Sequence, residues 1–265
     1  LEKNSINKVF FLARDGFVMK QVFDIINTNS NIESYYLYAS RRSIIVPSLY
    51  KCKSIDEIFK KMYVKEKVSI SSLFKKIGID DLDIAKKISE KYDIDINQEY
   101  NFHELLQNKE IRAMFDELLP VIIENSKKEY EAFIKYKEKM NFSGKVAIVD
   151  IGWFGNMQHA LESLELDIDL YGYYMGIEPR KNYQREHKMY GFLFETDNNY
   201  ELFLKEHNFN SIFEMLFLAQ HGSVKRFNSE KDEMVEFYDY EYNHAKEKND
   251  IITMQEYAFK FARDY

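Results

Sequence analysis

The chain has 265 residues, 45% hydrophobic and 31% charged, with only 9 Gly and 3 Pro, enough to build a core without metal or disulfide staples and too few breakers for a disordered or collagen-like chain. A formal net charge of -7 lacks the basic face that nonspecific nucleic-acid binding needs, so no nucleic acid is expected as a partner. The single cysteine, Cys52, cannot pair internally, no apolar run approaches the ~20 residues of a membrane helix, and no signal peptide opens the chain, so a cytoplasmic setting is expected.

The apolar run Val9-Phe10-Phe11-Leu12-Ala13 predicts a strand that breaks at Arg14-Asp15-Gly16, followed by a helix with Met19, Val22, Phe23 and Ile26 on one face. Tyr35-Tyr36-Leu37-Tyr38-Ala39 predicts a second buried parallel strand, closing on Ser40-Arg41-Arg42. From about residue 53 to 140 the pattern is helical and charged: Ser54 and Glu57 form a capping-box signature, Gly78 marks a helix stop, and Pro120 is expected to divide a helix over 104–119 from one over 121–140. Lys145-Val146-Ala147-Ile148-Val149-Asp150 then predicts a third strand. Ile151-Gly152-Trp153-Phe154-Gly155 follows as a loop, with a helix through Met157, Ala160 and Leu164. Further strands are expected over 170–177 and 190–194, and mainly helix from about residue 200.

In an open parallel sheet, ligands bind beyond the carboxyl ends of the strands. Asp15 and Asp150 each stand at such an end; they are the candidate catalytic residues and the candidate ligands of Mg²⁺. Arg14, Ser40, Arg41 and Arg42 offer guanidinium groups and a hydroxyl suited to phosphate. Gly16 lets the chain turn against a ligand, and Gly152, Trp153, Gly155, Asn156 and Gln158 surround a helix start whose backbone N–H groups can cradle an anion. A lone strand-end Asp more often caps a helix; the recurrence at successive strand ends is what points to a site. Of the 6 histidines, only His159 is expected near it.

The stretches Phe10-Phe11-Leu12-Ala13-Arg14-Asp15-Gly16, Leu37-Tyr38-Ala39-Ser40-Arg41-Arg42 and Val146-Ala147-Ile148-Val149-Asp150-Ile151-Gly152-Trp153-Phe154-Gly155-Asn156-Met157-Gln158 resemble blocks of the haloacid-dehalogenase (HAD) superfamily hydrolases of bacterial surface-polysaccharide gene clusters, often fused to glycosyltransferases. The resemblance spans residues 9–164, with a weaker echo at Glu214-Met215-Leu216 and His221-Gly222-Ser223-Val224. It implies a Rossmann-like domain acting on or beside sugar phosphates. A HAD phosphatase follows its nucleophilic Asp with an acid/base Asp two residues later. Here Asp15 is followed by Gly16 and Phe17, and His159 or Glu178 is left as a stand-in; Asp150 likewise lacks the usual neighbouring acid. The phosphatase motifs of such proteins lie upstream of blocks like these, which implies a companion region with Asp15 as a ligand-binding residue. Residues 146–161 also resemble the PRPP loop of type I phosphoribosyltransferases, and Ala13-Arg14-Asp15-Gly16 their pyrophosphate loop, without the paired acids or the Thr-Gly-Thr cradle.

The expected protein is α/β: a Rossmann-like three-layer parallel sheet over 1–52 and 141–199, a large α-helical insertion over 53–140, and a mainly helical part over 200–265. It is expected to bind or process a phosphorylated sugar or nucleotide sugar, HAD-like itself or accessory to a fused or partner glycosyltransferase. Two alternatives stay open, a PRPP-binding domain and a non-catalytic docking module. The start at Leu1 and the end inside a helical run are expected of a piece of a longer protein.

Overall fold

The computed structural model describes residues 1–62, 66–177, 188–195, 214–240 and 245–265. The chain is α/β and divides into two compact units, Leu1–Arg41 with Tyr136–Lys225 and Val235–Tyr265, and Arg42–Lys135 with Arg226–Met234. Glu178, proposed above as a stand-in acid, and the expected helical stretch over 200–213 lie outside the described residues.

The first unit is built on a five-stranded sheet in the order β2-β1-β5-β6-β7, with β1 Lys8–Leu12, β2 Glu33–Leu37, β5 Gly144–Trp153, β6 Ile168–Ile177 and β7 Met189–Gly191. Every neighbouring pair is parallel. The strands expected from the three apolar runs therefore lie in one sheet. Their unalternated character follows from burial on both faces: Val9 and Phe11 join Ala147 and Tyr171 on one side, where Met19 and Phe23 of α1 (Gly16–Ile26) pack. Phe10 points the other way, stacking on Tyr35 and meeting the edge of Phe142. The helix Asn156–Glu162, α8, places Leu161 on that second side beside Phe142 and Leu170.

β5 is longer than its apolar run. Beyond Asp150 it stays paired with β6, through Gly152 opposite Gly176 and Trp153 opposite Ile177, so the expected loop at 151–153 is strand. β1 stops earlier, its last partner on β5 being Val149 opposite Phe11. Asp150 thus stands where β5 has lost its neighbour on the β1 side.

The second unit is helical, with a short antiparallel pair, β3 Lys67–Ser69 and β4 Glu99–Asn101, the second running into the short helix α6, Phe102–Leu105. Local chemistry starts and stops its helices. Ser54 accepts from the Glu57 N–H at the head of α3 (Ile55–Lys61), and Asp81 accepts from Asp83 and Ile84 at the head of α5 (Leu82–Tyr92). α4 (Ile70–Lys76) ends before Gly78, whose φ is 84°. α2 (Arg41–Ser48) precedes them, and Leu49 and Cys52 join the core of this unit with Ile55, Phe59, Phe74 and Phe115. That shared core is why the second unit begins at Arg42 and not near residue 53.

Pro120 does not divide two helices. α7 runs unbroken over Lys109–Lys139, 31 residues and about 46 Å. The ring sits on the exposed side of the helix, where water can satisfy the carbonyl it frees, while Ile111, Met114, Phe115, Leu118, Ile122, Ala132 and Phe133 form the buried stripe. Among the described residues no helix is long and apolar enough to cross a membrane.

Candidate functional site

The strand order fixes where a site can form. From β1 the chain moves outward to β2, then returns past β1 to continue through β5, β6 and β7 in the opposite direction. At such a reversal, here between β1 and β5, the connections leave in opposite directions and open a crevice beyond the carboxyl ends of the strands. A cleft of about 420 Å³ lies in the first unit with Ala13, Arg14 and Asp15 after β1, Asp150, Ile151, Gly152 and Trp153 from β5, Ser40 and Arg41 after β2, and Asn156 and Met157 of α8 on its walls. Glu214, Met215, Leu218 and Ser223 complete it.

Arg14, Asp15, Ser40, Arg41, Asp150, Gly152, Trp153 and Asn156, singled out from the sequence, therefore face one cavity. Four others do not line it. Gly16 is buried under β1, where an added Cβ would come within 2.8 Å of the Phe11 carbonyl carbon; it lets α1 start close to the strand. Arg42 belongs to the second unit, where its guanidinium holds Glu129 at 2.6 and 2.9 Å and Asp80 at 2.8 Å. Gly155, φ 64°, is the N-cap of α8. Gln158 is fully buried, accepting from the Tyr174 hydroxyl at 2.9 Å and donating to Glu162 at 2.9 Å. His159 does not line the cleft either; its Nδ1 lies 3.6 Å from the Glu162 carboxylate on the same helix.

The cleft gathers three carboxylates around two guanidinium groups. Burial first, and the Glu214 charge second, push Asp15 up to about 6, against the pull of Arg14 and Arg41. Burial and then the Asp15 charge push Asp150 up to about 8, although the Ile151 N–H donates to its Oδ1 at 3.0 Å and Arg41 acts in the same lowering sense. Both acids thus hold protons more tightly than free carboxyls do, and the site stores charge repulsion that an added cation would relieve. Among the described residues no group of three or more His, Cys, Asp or Glu side chains is placed to hold a metal ion by protein ligands alone.

The remaining walls are held by side chains committed to structure. Ser40 Oγ donates to the Val224 carbonyl at 2.6 Å. The Trp153 indole donates to Glu214 at 3.1 Å, which fixes that carboxylate on the wall. His221 is kept neutral by burial; with Nδ1 facing the Gly222 carbonyl at 2.8 Å as donor, Nε2 accepts from the Tyr36 hydroxyl at 3.0 Å. That clasp holds the chain just before Ser223 against β2.

Glu214 is the residue that strand-end reasoning passed over. Residues 214–217 are helical, and its signal in the sequence was the weak family echo at 214–216. No protein-family model matches this chain, and no curated protein matches it.

Proposed function

We propose that the cleft binds the phosphate of a phosphorylated sugar or nucleotide sugar, in a Rossmann-like domain that serves bacterial surface-polysaccharide assembly in the cytoplasm alongside a fused or partner glycosyltransferase. What supports this above all is the meeting of Arg14 and Arg41 with Asp15 and Asp150 in one cavity where the strand order reverses. Guanidinium groups suit phosphate oxygens, and charge-assisted hydrogen bonds of this kind are the strong ones.

Three carboxylates beside two guanidiniums cannot accept a dianion unless protons or a cation offset the charge. Mg²⁺ fits that need: it is bound through one or two carboxylates with water and substrate phosphate completing its shell, and Asp15 and Asp150 would hold it. When bound it would neutralise phosphate charge. Arg14 and Arg41 orient the phosphate, and Trp153 keeps the Glu214 carboxylate on the wall. Ala13 and Phe17, two residues to either side of Asp15, offer no second acid on that loop, so the proposed role is binding and positioning, with bond cleavage left to a partner active site.

The test is calorimetric titration with sugar 1-phosphates and nucleotide sugars, with and without MgCl₂. Saturable, Mg²⁺-dependent binding is expected, weakened about 10- to 100-fold by Arg41→Ala, since a hydrogen bond to a charged group contributes ~1.5–3 kcal/mol. Binding that is equal in Arg41→Ala, or absent for every phosphorylated compound, would reject the proposal.

A further inference from the structure

We infer that the ligand of this cleft carries an apolar chain, and that the chain lies in a groove that begins one helical turn from Asp15. The inference rests on the phosphate reading above and adds the other half of the ligand: a phosphate ester of a long apolar alcohol.

The groove, about 570 Å³, belongs to the same unit as the cleft, and among the described residues every side chain lining it is apolar apart from the Tyr173 hydroxyl. One wall is α1, whose Val18, Met19, Val22, Phe23 and Ile26 line it in sequence. Asp15 immediately precedes that helix. The eight residue steps from Val18 to Ile26 make the groove about 12 Å long.

The groove and the cleft share their dividing wall. Val149, Ile151 and Trp153 alternate along β5 and so face one side of the sheet; Val149 lines the groove, and Ile151 and Trp153 line the cleft. Met19 lines the groove and packs against the Ile151 and Trp153 cluster. Phe217 repeats the pattern, lining the groove one helical turn from Glu214 on the cleft wall. The residues at the boundary of cleft and groove, Ile151, Met19 and Phe217, are all apolar.

The far end opens on apolar surface. Ile26 is 54% exposed, and Ala258, also on the groove wall, shares a face of the C-terminal helix Ala245–Asp264 with Met254 and Phe261, which are 51% and 71% exposed. Exposed apolar patches bordering an apolar groove are what a chain entering from a lipid phase would meet.

The experiment is a chain-length series of ethyl, hexyl and decyl phosphate, with decanol and inorganic phosphate as controls, titrated with MgCl₂ present into the wild-type chain, Arg41→Ala, and Val22→Gln with Ile26→Gln. These last two positions are only partly buried, and retained melting temperature confirms folding. The expected result is affinity rising about fourfold per added methylene in the wild type. The whole series should weaken together in Arg41→Ala, and the slope with chain length should flatten in the groove variant with ethyl phosphate unchanged. If ethyl phosphate binds through Arg41 and longer chains bind no better, the chain inference is overturned and the phosphate reading survives. If decanol binds as tightly as decyl phosphate, the groove is separate from the cleft and the inference is overturned. If no phosphate compound binds, the phosphate reading itself fails first.

Discussion

Arg42→Met tests whether the second unit depends on a buried ion cluster. Glu129 lies on the buried stripe of α7 and is 6% exposed; its carboxylate takes two guanidinium hydrogen bonds from Arg42, at 2.6 and 2.9 Å, and Arg42 also reaches Asp80 at 2.8 Å and the Lys75 carbonyl at 3.1 Å. Burial raises the Glu129 carboxyl above its ordinary value even though Arg42 first, and Arg226 to a lesser degree, pull it down, so desolvation outweighs the ion pairing. Methionine keeps most of the volume of Arg42 and removes the cation. Removing one partner of a buried ion pair costs about 3–5 kcal/mol, which for a chain of this size lowers the melting temperature by roughly 6–20 °C at ~2–4 °C per kcal/mol. Thermal unfolding followed by circular dichroism at neutral pH reads this directly. Arg42→Met combined with Glu129→Leu should recover much of the loss, because the more deeply buried carboxylate is gone and Asp80 still faces Arg226 at 3.9 Å. A loss under about 1 kcal/mol in Arg42→Met, or no recovery in the double variant, would refute the reasoning.

Other consequences follow from the first unit. The folded chain holds protons at Asp15 up to about pH 6 and at Asp150 up to about pH 8, against ~3.9 for an unfolded Asp. Their contribution to stability is therefore complete below about pH 4 and lost as pH rises through 6 and then 8. The melting temperature of the wild type, measured relative to the Asp15→Asn, Asp150→Asn double variant, should fall between pH 5 and 9, and parallel curves would contradict the assignment. p-Nitrophenyl phosphate with Mg²⁺ should be turned over poorly, since a general acid contributes about 10²–10⁴ in rate and Asp15 has none on its loop; robust turnover abolished by Asp15→Asn would overturn that. Gly152→Ala should destabilise by ~1–3 kcal/mol, because φ is 107° and an added Cβ would come within 2.5 Å of the Gly176 carbonyl oxygen; an unchanged urea midpoint would show that β5 relaxes there.

The sheet was written in the apolar runs at 9–13, 35–39 and 145–150, because strands buried on both faces need continuous apolar residues and the polar residues that end them mark the open edge. The same logic brought Asp15, Arg41 and Asp150 to one cavity. It failed at Arg42, because adjacent arginines look alike in sequence while one lines the cleft and its neighbour has been recruited by Glu129, 87 residues away. At Gly152 and Trp153, which do line the cleft, it misread the backbone: pairing with β6 carries the strand past an acid and a glycine that read as loop. Pro120 misled for a different reason: its ring falls on the exposed side of α7, and whether the freed carbonyl reaches water depends on packing that the residue pattern alone does not reveal. Glu214 was hidden because it reaches the cleft by tertiary placement and a hydrogen bond from Trp153, and the sequence marks neither.

The central claim is that a phosphate sits between the ends of β1 and β5. A crystal structure with a nucleotide sugar and Mg²⁺ tests it most directly: the phosphate is expected within hydrogen-bond reach of Arg14 and Arg41, with the metal against Asp15 and Asp150. Phosphate density elsewhere on the chain, with the cleft holding only water at saturating ligand, would contradict the account.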